Sequence, residues 1–210
     1  MYAPDSQVDR NSLRQGDILT PVPFPVIDAE TVVLGKIDGQ TRIEIPHPKI
    51  VALPREHRGQ NDCVTMQIKA RLAPCAVISH CCELELRNGK CLLPTISVAR
   101  IVAVKESIGK DREKASSLKA NKDPRIHGDP GYLDYFYLEP TASIGGVECV
   151  VDFAQIAPVP GTEYQNLLQR KVLQLVDRER VKFKIKLAAF LGRLTNEEVA
   201  AGLENPWLTQ

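Results

Sequence analysis

Nowhere does this 210-residue chain approach the roughly 20 consecutive apolar residues that a membrane-spanning helix needs. The first thirty residues carry acids and prolines and no apolar segment of signal-peptide length, so a cytoplasmic location is the expectation. Neither sign of charge prevails, with 27 Lys and Arg against 26 Asp and Glu. Net charge therefore selects no nucleic-acid or membrane partner, and any such argument must rest on local clustering. Aromatic residues are few, 5% of the chain, which disfavours an extended base-stacking platform. No internal repeat is visible, which excludes solenoids and propellers.

What the chain does have is an average globular composition, 43% hydrophobic and 25% charged. Prolines and glycines cut it into short runs rich in β-branched residues, the pattern of a mainly β fold. Residues 1–210 read as one elaborated domain. The alternating Pro21, Pro23 and Pro25 predict an extended edge or loop, since proline cannot donate to a central ladder. Asp38-Gly39 predicts a hairpin between Thr31–Ile37 and Thr41–Ile45, and Asn88-Gly89 predicts another. The second turn sets Leu86 opposite Cys91, and without a bulge it carries Cys82 to Thr95 and His80 to Ser97. Strands resume at Tyr132–Leu138 and Val147–Ile156 around Gly145-Gly146, and Pro158 and Pro160 are expected to end that run. Residues 105–130 form a charged insertion with an exposed helix expected near 112–120. Two C-terminal helices are expected over 178–204, the first from about Arg178 to Leu194 and the second capped by Thr195 and Glu198.

Three constellations could carry chemistry. In Ser79-His80-Cys81-Cys82-Glu83 a thiol and an imidazole lie two residues apart, which on a strand puts His80 and Cys82 on one face. That face continues as Leu84, Leu86 and Leu93, so the strand reading makes Cys82 core. The alternative is a Cys–His nucleophile. The six cysteines lack the paired spacing of structural zinc ligands, so neither metal nor cofactor is expected. Residues 170–193 hold eight Lys and Arg against Asp177 and Glu179 alone. Arg180, Lys182, Lys184, Lys186 and Arg193 are thus candidates for binding phosphate, with the solvated face of an amphipathic helix as the plainer explanation.

Gly16-Asp17-Ile18, Lys69-Ala70-Arg71 leading into Ala76-Val77-Ile78-Ser79, Leu92-Leu93-Pro94-Thr95 and Val151-Asp152-Phe153-Ala154-Gln155-Ile156 together resemble, in order, the motifs of PemK/MazF-type toxins. The tail from Leu191 to Glu198 resembles the start of their last helix. This resemblance implies a partly open SH3-like barrel, elaborated here by the hairpin, the insertion and the C-terminal helices. It also implies a homodimeric, metal-independent endoribonuclease of a toxin–antitoxin pair, with RNA as substrate and Arg71 and Thr95 as the catalytic residues. Two other functions fit the same residues: a non-catalytic protein-interaction module of a bacterial defence or mobile-element complex, and a thiol enzyme working through His80 and Cys82. The Ser-x-x-Cys-Glu run after a Gly-Asp-Ile start is also similar to a Ser-x-x-Cys-Asp motif of bacterial proteins.

Overall fold

A computed structural model describes residues 1–26, 31–35, 42–46, 66–67, 69–84, 86–107, 118–121 and 133–192. The fold is mainly β. Its strands are β1 (Ile18–Val26), β2 (Thr31–Gly35), β3 (Arg42–Pro46), β4 (Met66–Gln67), β5 (Lys69–Val77), β6 (Leu86–Arg87), β7 (Lys90–Cys91), β8 (Thr95–Ala103), β9 (Tyr135–Leu138), β10 (Cys149–Pro160) and β11 (Lys171–Leu173). Three helices accompany them among the described residues: α1 (Val104–Ser107), α2 (Tyr164–Gln169) and α3 (Asp177–Leu191). The main sheet has the order β11-β1-β5-β8-β10-β9 and, among the described residues, does not close into a barrel. The chain divides into two compact units, Met1–Val22 with Ala73–Gln210, and Pro23–Leu72.

In the second unit, β2 pairs with β3 from Thr31↔Pro46 to Gly35↔Arg42, and with β4 on its other side. That register is the one a two-residue turn at Asp38-Gly39 requires, although the turn itself lies outside the described residues. In the first unit the Asn88-Gly89 turn is in place. Both residues have positive φ, and Leu86 faces Cys91 as expected. Beyond the turn the expected register fails. β5 and β8 are antiparallel neighbours, but Cys75 faces Arg100, a displacement of two residues. Eight residues (78–85) separate Val77 from Leu86, and six (92–97) separate Cys91 from Val98, and residues 78–84 lie outside the ladder. A shift of two keeps every side chain on its face. The strand ends at Val77, however, and neither His80 nor Cys82 stands in a ladder opposite Ser97 or Thr95.

Prolines occur within strands of the main sheet. β1 lies inside the sheet rather than at its edge, yet β11 is only three residues long and registers with Ile18 and Leu19. The proline half of β1 therefore has no β11 residue beside it to which it could donate. β10 likewise runs through Pro158 to Pro160, because β9 stops opposite Asp152 and the prolines meet only β8. Between Asp152 and Ile156, β10 bulges away from Arg100 and Ala99. Asp152 accepts from the Ala154 amide and from Gln155 Nε2, and Gln155 Oε1 accepts from Arg100. The bulge sends Phe153 into the core, 5.3 Å from the ring of Phe183 on α3, which also meets Phe136 edge-on at 5.1 Å.

The helix expected from Arg178 is α3, starting at Asp177; residues beyond 192, with the second expected helix, lie outside the described set. Asp177 and Glu179 in its first turn suit the positive end of the helix dipole. Much of the charged insertion is also outside, but Leu118 is fully buried and Asn121 is buried too. The Asn121 side chain donates to the Tyr137 carbonyl (3.0 Å) and accepts from the Tyr137 amide (2.8 Å), acting as a one-residue strand along edge strand β9.

Two consequences can be measured. Asn121→Ala should lower stability by about 1–3 kcal/mol in urea titration, by leaving buried peptide groups of β9 unpaired. An unchanged midpoint would show that the edge needs no partner. Lys186, 1% exposed with no partner for Nζ among the described residues, is driven by burial down to about 8. Between pH 8 and its usual 10.5 the unfolded chain holds a proton that the folded chain lacks, so stability should rise across that window. Lys186→Met should remove that rise and be more stable at pH 7 by up to about 3 kcal/mol.

Candidate functional site

The Gly16-Asp17 turn positions the site. Gly16 has φ +88°, and a Cβ there would sit 3.0 Å from Leu175. The turn pairs with the end of β5 in both directions: Gly16 N–H donates to the Val77 carbonyl and Val77 N–H donates to that of Asp17. The Asp17 carboxylate is buried against Lys171 Nζ at 2.6 Å and also accepts from the Arg14 amide. Burial pushes the Asp17 carboxyl up, against the pull of Lys171. Lys171 Nζ donates as well to the carbonyls of Asp9 and Ser12 and to Gln174 Oε1, so one ammonium ties residues 9–12, the Gly-Asp turn and β11 together.

Just beyond Val77 the chain leaves the sheet. The Ile78 amide donates to the Ser97 carbonyl, and Ser79 Oγ accepts from the Ser97 amide. Gln15 Nε2 donates to the Ile78 carbonyl, and the Gln15 amide points at Cys81 Sγ, 3.3 Å away. Residues Cys81–Glu83 then form one 3-10 turn, closed by bonds from Glu83 to His80 and from Leu84 to Cys81, with Leu84 buried as its far anchor. The turn brings His80 Nδ1 to 3.0 Å from Cys82 Sγ, and both residues are exposed. Cys82 is thus not the core residue that the strand reading made it. Alternation fails because the turn rotates both side chains outward together.

Cys81 and Cys82 open onto a cavity of about 670 Å³ whose walls include Arg14, Tyr164, Arg180 and Lys184. Arg14 pairs with Asp9, and Arg180 with Asp177, while one Arg180 nitrogen is buried without a partner among the described residues. His80 opens onto a second cavity of about 420 Å³, lined mainly by Ile185, Leu187, Ala188 and Leu191 of α3. Among the described residues Lys184 is the one that lines both. Helical spacing puts Arg180 and Lys184 one turn apart on the same face.

The other candidates are scattered. Lys186 is buried and cannot belong to a phosphate-facing surface; the sequence offered no sign of this, because alternating Lys residues on a helix wind through its core stripe. Lys182 pairs with Glu179 at 2.7 Å. Arg193 lies outside the described residues. Arg71 is exposed on β5 within the second unit, and Thr95 is exposed at the start of β8 in the first. Gln15, Arg14 and Tyr164 were not apparent from the sequence. Only the position of Gln15 beside Gly16-Asp17 hinted at a role.

Among the described residues no group of three or more His, Cys, Asp and Glu side chains converges as a metal site. No helix among them is long and apolar enough to cross a membrane. The chain matches no protein-family model, and no curated protein matches its sequence.

Proposed function

We propose that this protein is a cysteine-dependent enzyme in which Cys82 is the nucleophile and His80 its base. The observation that carries this reading is the 3.0 Å contact between His80 Nδ1 and Cys82 Sγ on an exposed turn at the mouth of a cavity. An imidazole at that distance can take the thiol proton and stand as counter-ion to the thiolate, the attacking form of cysteine. The natural chemistry of such a pair is acyl transfer. Sulfur bonds to the carbonyl carbon, the bond to the leaving group breaks, and the imidazolium returns its proton to that group. Water, deprotonated by the same imidazole, then releases the acid.

The phosphate-binding reading has less support, since Lys186 is buried and Arg180 and Lys182 are engaged with acids on their own helix. Arg71 and Thr95 are each exposed, one in each compact unit.

Alkylation tests the proposal. With limiting iodoacetamide at neutral pH, Cys82 should react before Cys81 and Cys91, which are half-buried. His80→Ala should slow Cys82 roughly tenfold or more, because an unassisted thiol is only a few per cent thiolate at pH 7. Equal rates in the two proteins would mean that the imidazole does not activate the thiol.

A further inference from the structure

The two cavities differ in character, and they meet at the Cys–His pair. On the Cys82 side the walls carry Arg14, Arg180 and Lys184. On the His80 side, apart from Gln15, His80 and Lys184, the walls are Ile185, Leu187, Ala188, Ala189 and Leu191. We infer that the substrate is an amphipathic ester or thioester, its acyl chain lying in the apolar groove beside His80 and its anionic leaving group in the basic cavity beside Cys82. This rests on Cys82 being the nucleophile.

Three features support the assignment. First, the reacting sulfur and its base stand at the junction, where a scissile carbonyl joining an apolar acyl chain to a charged group would have to lie. Second, charge is unevenly spent on the cleft side. Asp9 and Asp177 answer Arg14 and Arg180, whereas Lys184 has no ion pair among the described residues, and it faces both cavities. A cation at the junction, without an ion pair among the described residues, attracts an anionic leaving group and holds it away from the apolar groove. Third, Leu191 is 65% exposed, an apolar side chain standing at the rim of the groove with no cover from the described residues. An acyl chain satisfies that surface, and a basic cavity on the opposite side disfavours the reversed orientation.

The roles divide between the two sides. Lys184 is a positioning residue for the leaving group, and Leu191 and Ala188 read the acyl chain. The chemical step is the balanced acyl transfer given above, with the departing anion taking the proton from His80.

Hydrolysis of three esters by the full-length protein tests this: p-octanoyloxybenzenesulfonate, p-acetoxybenzenesulfonate and p-nitrophenyl octanoate. The octanoyl sulfonate should exceed the acetyl sulfonate in kcat/KM by about tenfold or more. Lys184→Ala should lower kcat/KM for the octanoyl sulfonate about tenfold more than for p-nitrophenyl octanoate, the loss of one charge-assisted contact. Leu191→Glu, at an exposed position, should depress the octanoyl sulfonate more than the acetyl one. Turnover that requires Cys82 but shows neither chain-length nor charge preference would overturn this inference and leave the nucleophile standing. Turnover unaffected by Cys82→Ser, or none with any ester, would overturn the nucleophile reading and this inference with it.

Discussion

The ion pair between Asp17 and Lys171, both nearly inaccessible to solvent, is the contact on which the site depends. Removing two charges from water costs several kcal/mol, and their attraction alone does little more than offset it. The pair matters for what it positions. Lys171 Nζ lies within hydrogen-bond reach of four oxygens, from residues 9, 12, 17 and 174, so a shift of any one of these segments takes an acceptor away from a buried charge. The Gly-Asp turn so held clasps the end of β5, and Gln15 beside it reaches Ile78 and Cys81. Exposed chemistry at His80 and Cys82 is thus supported by a rigid buried network, the arrangement that a preorganised site requires.

Helix α3 supplies the other wall, and its placement follows from packing. The β10 bulge, fixed by Asp152, Gln155 and Arg100, turns Phe153 onto Phe183, and Phe136 meets Phe183 on another side. With that aromatic contact setting the rotation of the helix, Arg180 and Lys184 face the basic cavity and Leu187, Ala188 and Leu191 the apolar one. Lys186 falls on the buried stripe with Phe183 and Leu187, where desolvation holds its ammonium at about 8.

Much of the β framework was legible because turn chemistry is local. Asn88-Gly89 adopts the positive φ angles its residue types favour, and the β2–β3 register agrees with Asp38-Gly39. The apolar run Cys75–Cys82 resembles a strand to its end, but the strand stops at Val77, and what takes the following residues out of the ladder is non-local: Ser79 bonded to Ser97, Gln15 to Ile78, and Leu84 buried. The same distinction explains the lysines. Alternating charges on a helix name residue types, but which of them are desolvated depends on where Phe153 presses. The Asp-x-x-Gln-Ile run that suggested a family motif builds, in this chain, the hydrogen bonds of a bulge.

The central claim is that Cys82 forms a covalent bond to substrate, and trapping that bond tests it most directly. The protein is mixed with p-octanoyloxybenzenesulfonate, quenched in acid within the first turnovers and mapped by peptide mass spectrometry. An octanoyl group should appear on the peptide bearing Cys82, be absent from Cys82→Ser and accumulate more slowly in His80→Ala. Acylation confined to lysines, or equal on Cys81, Cys82 and Cys91, would contradict it.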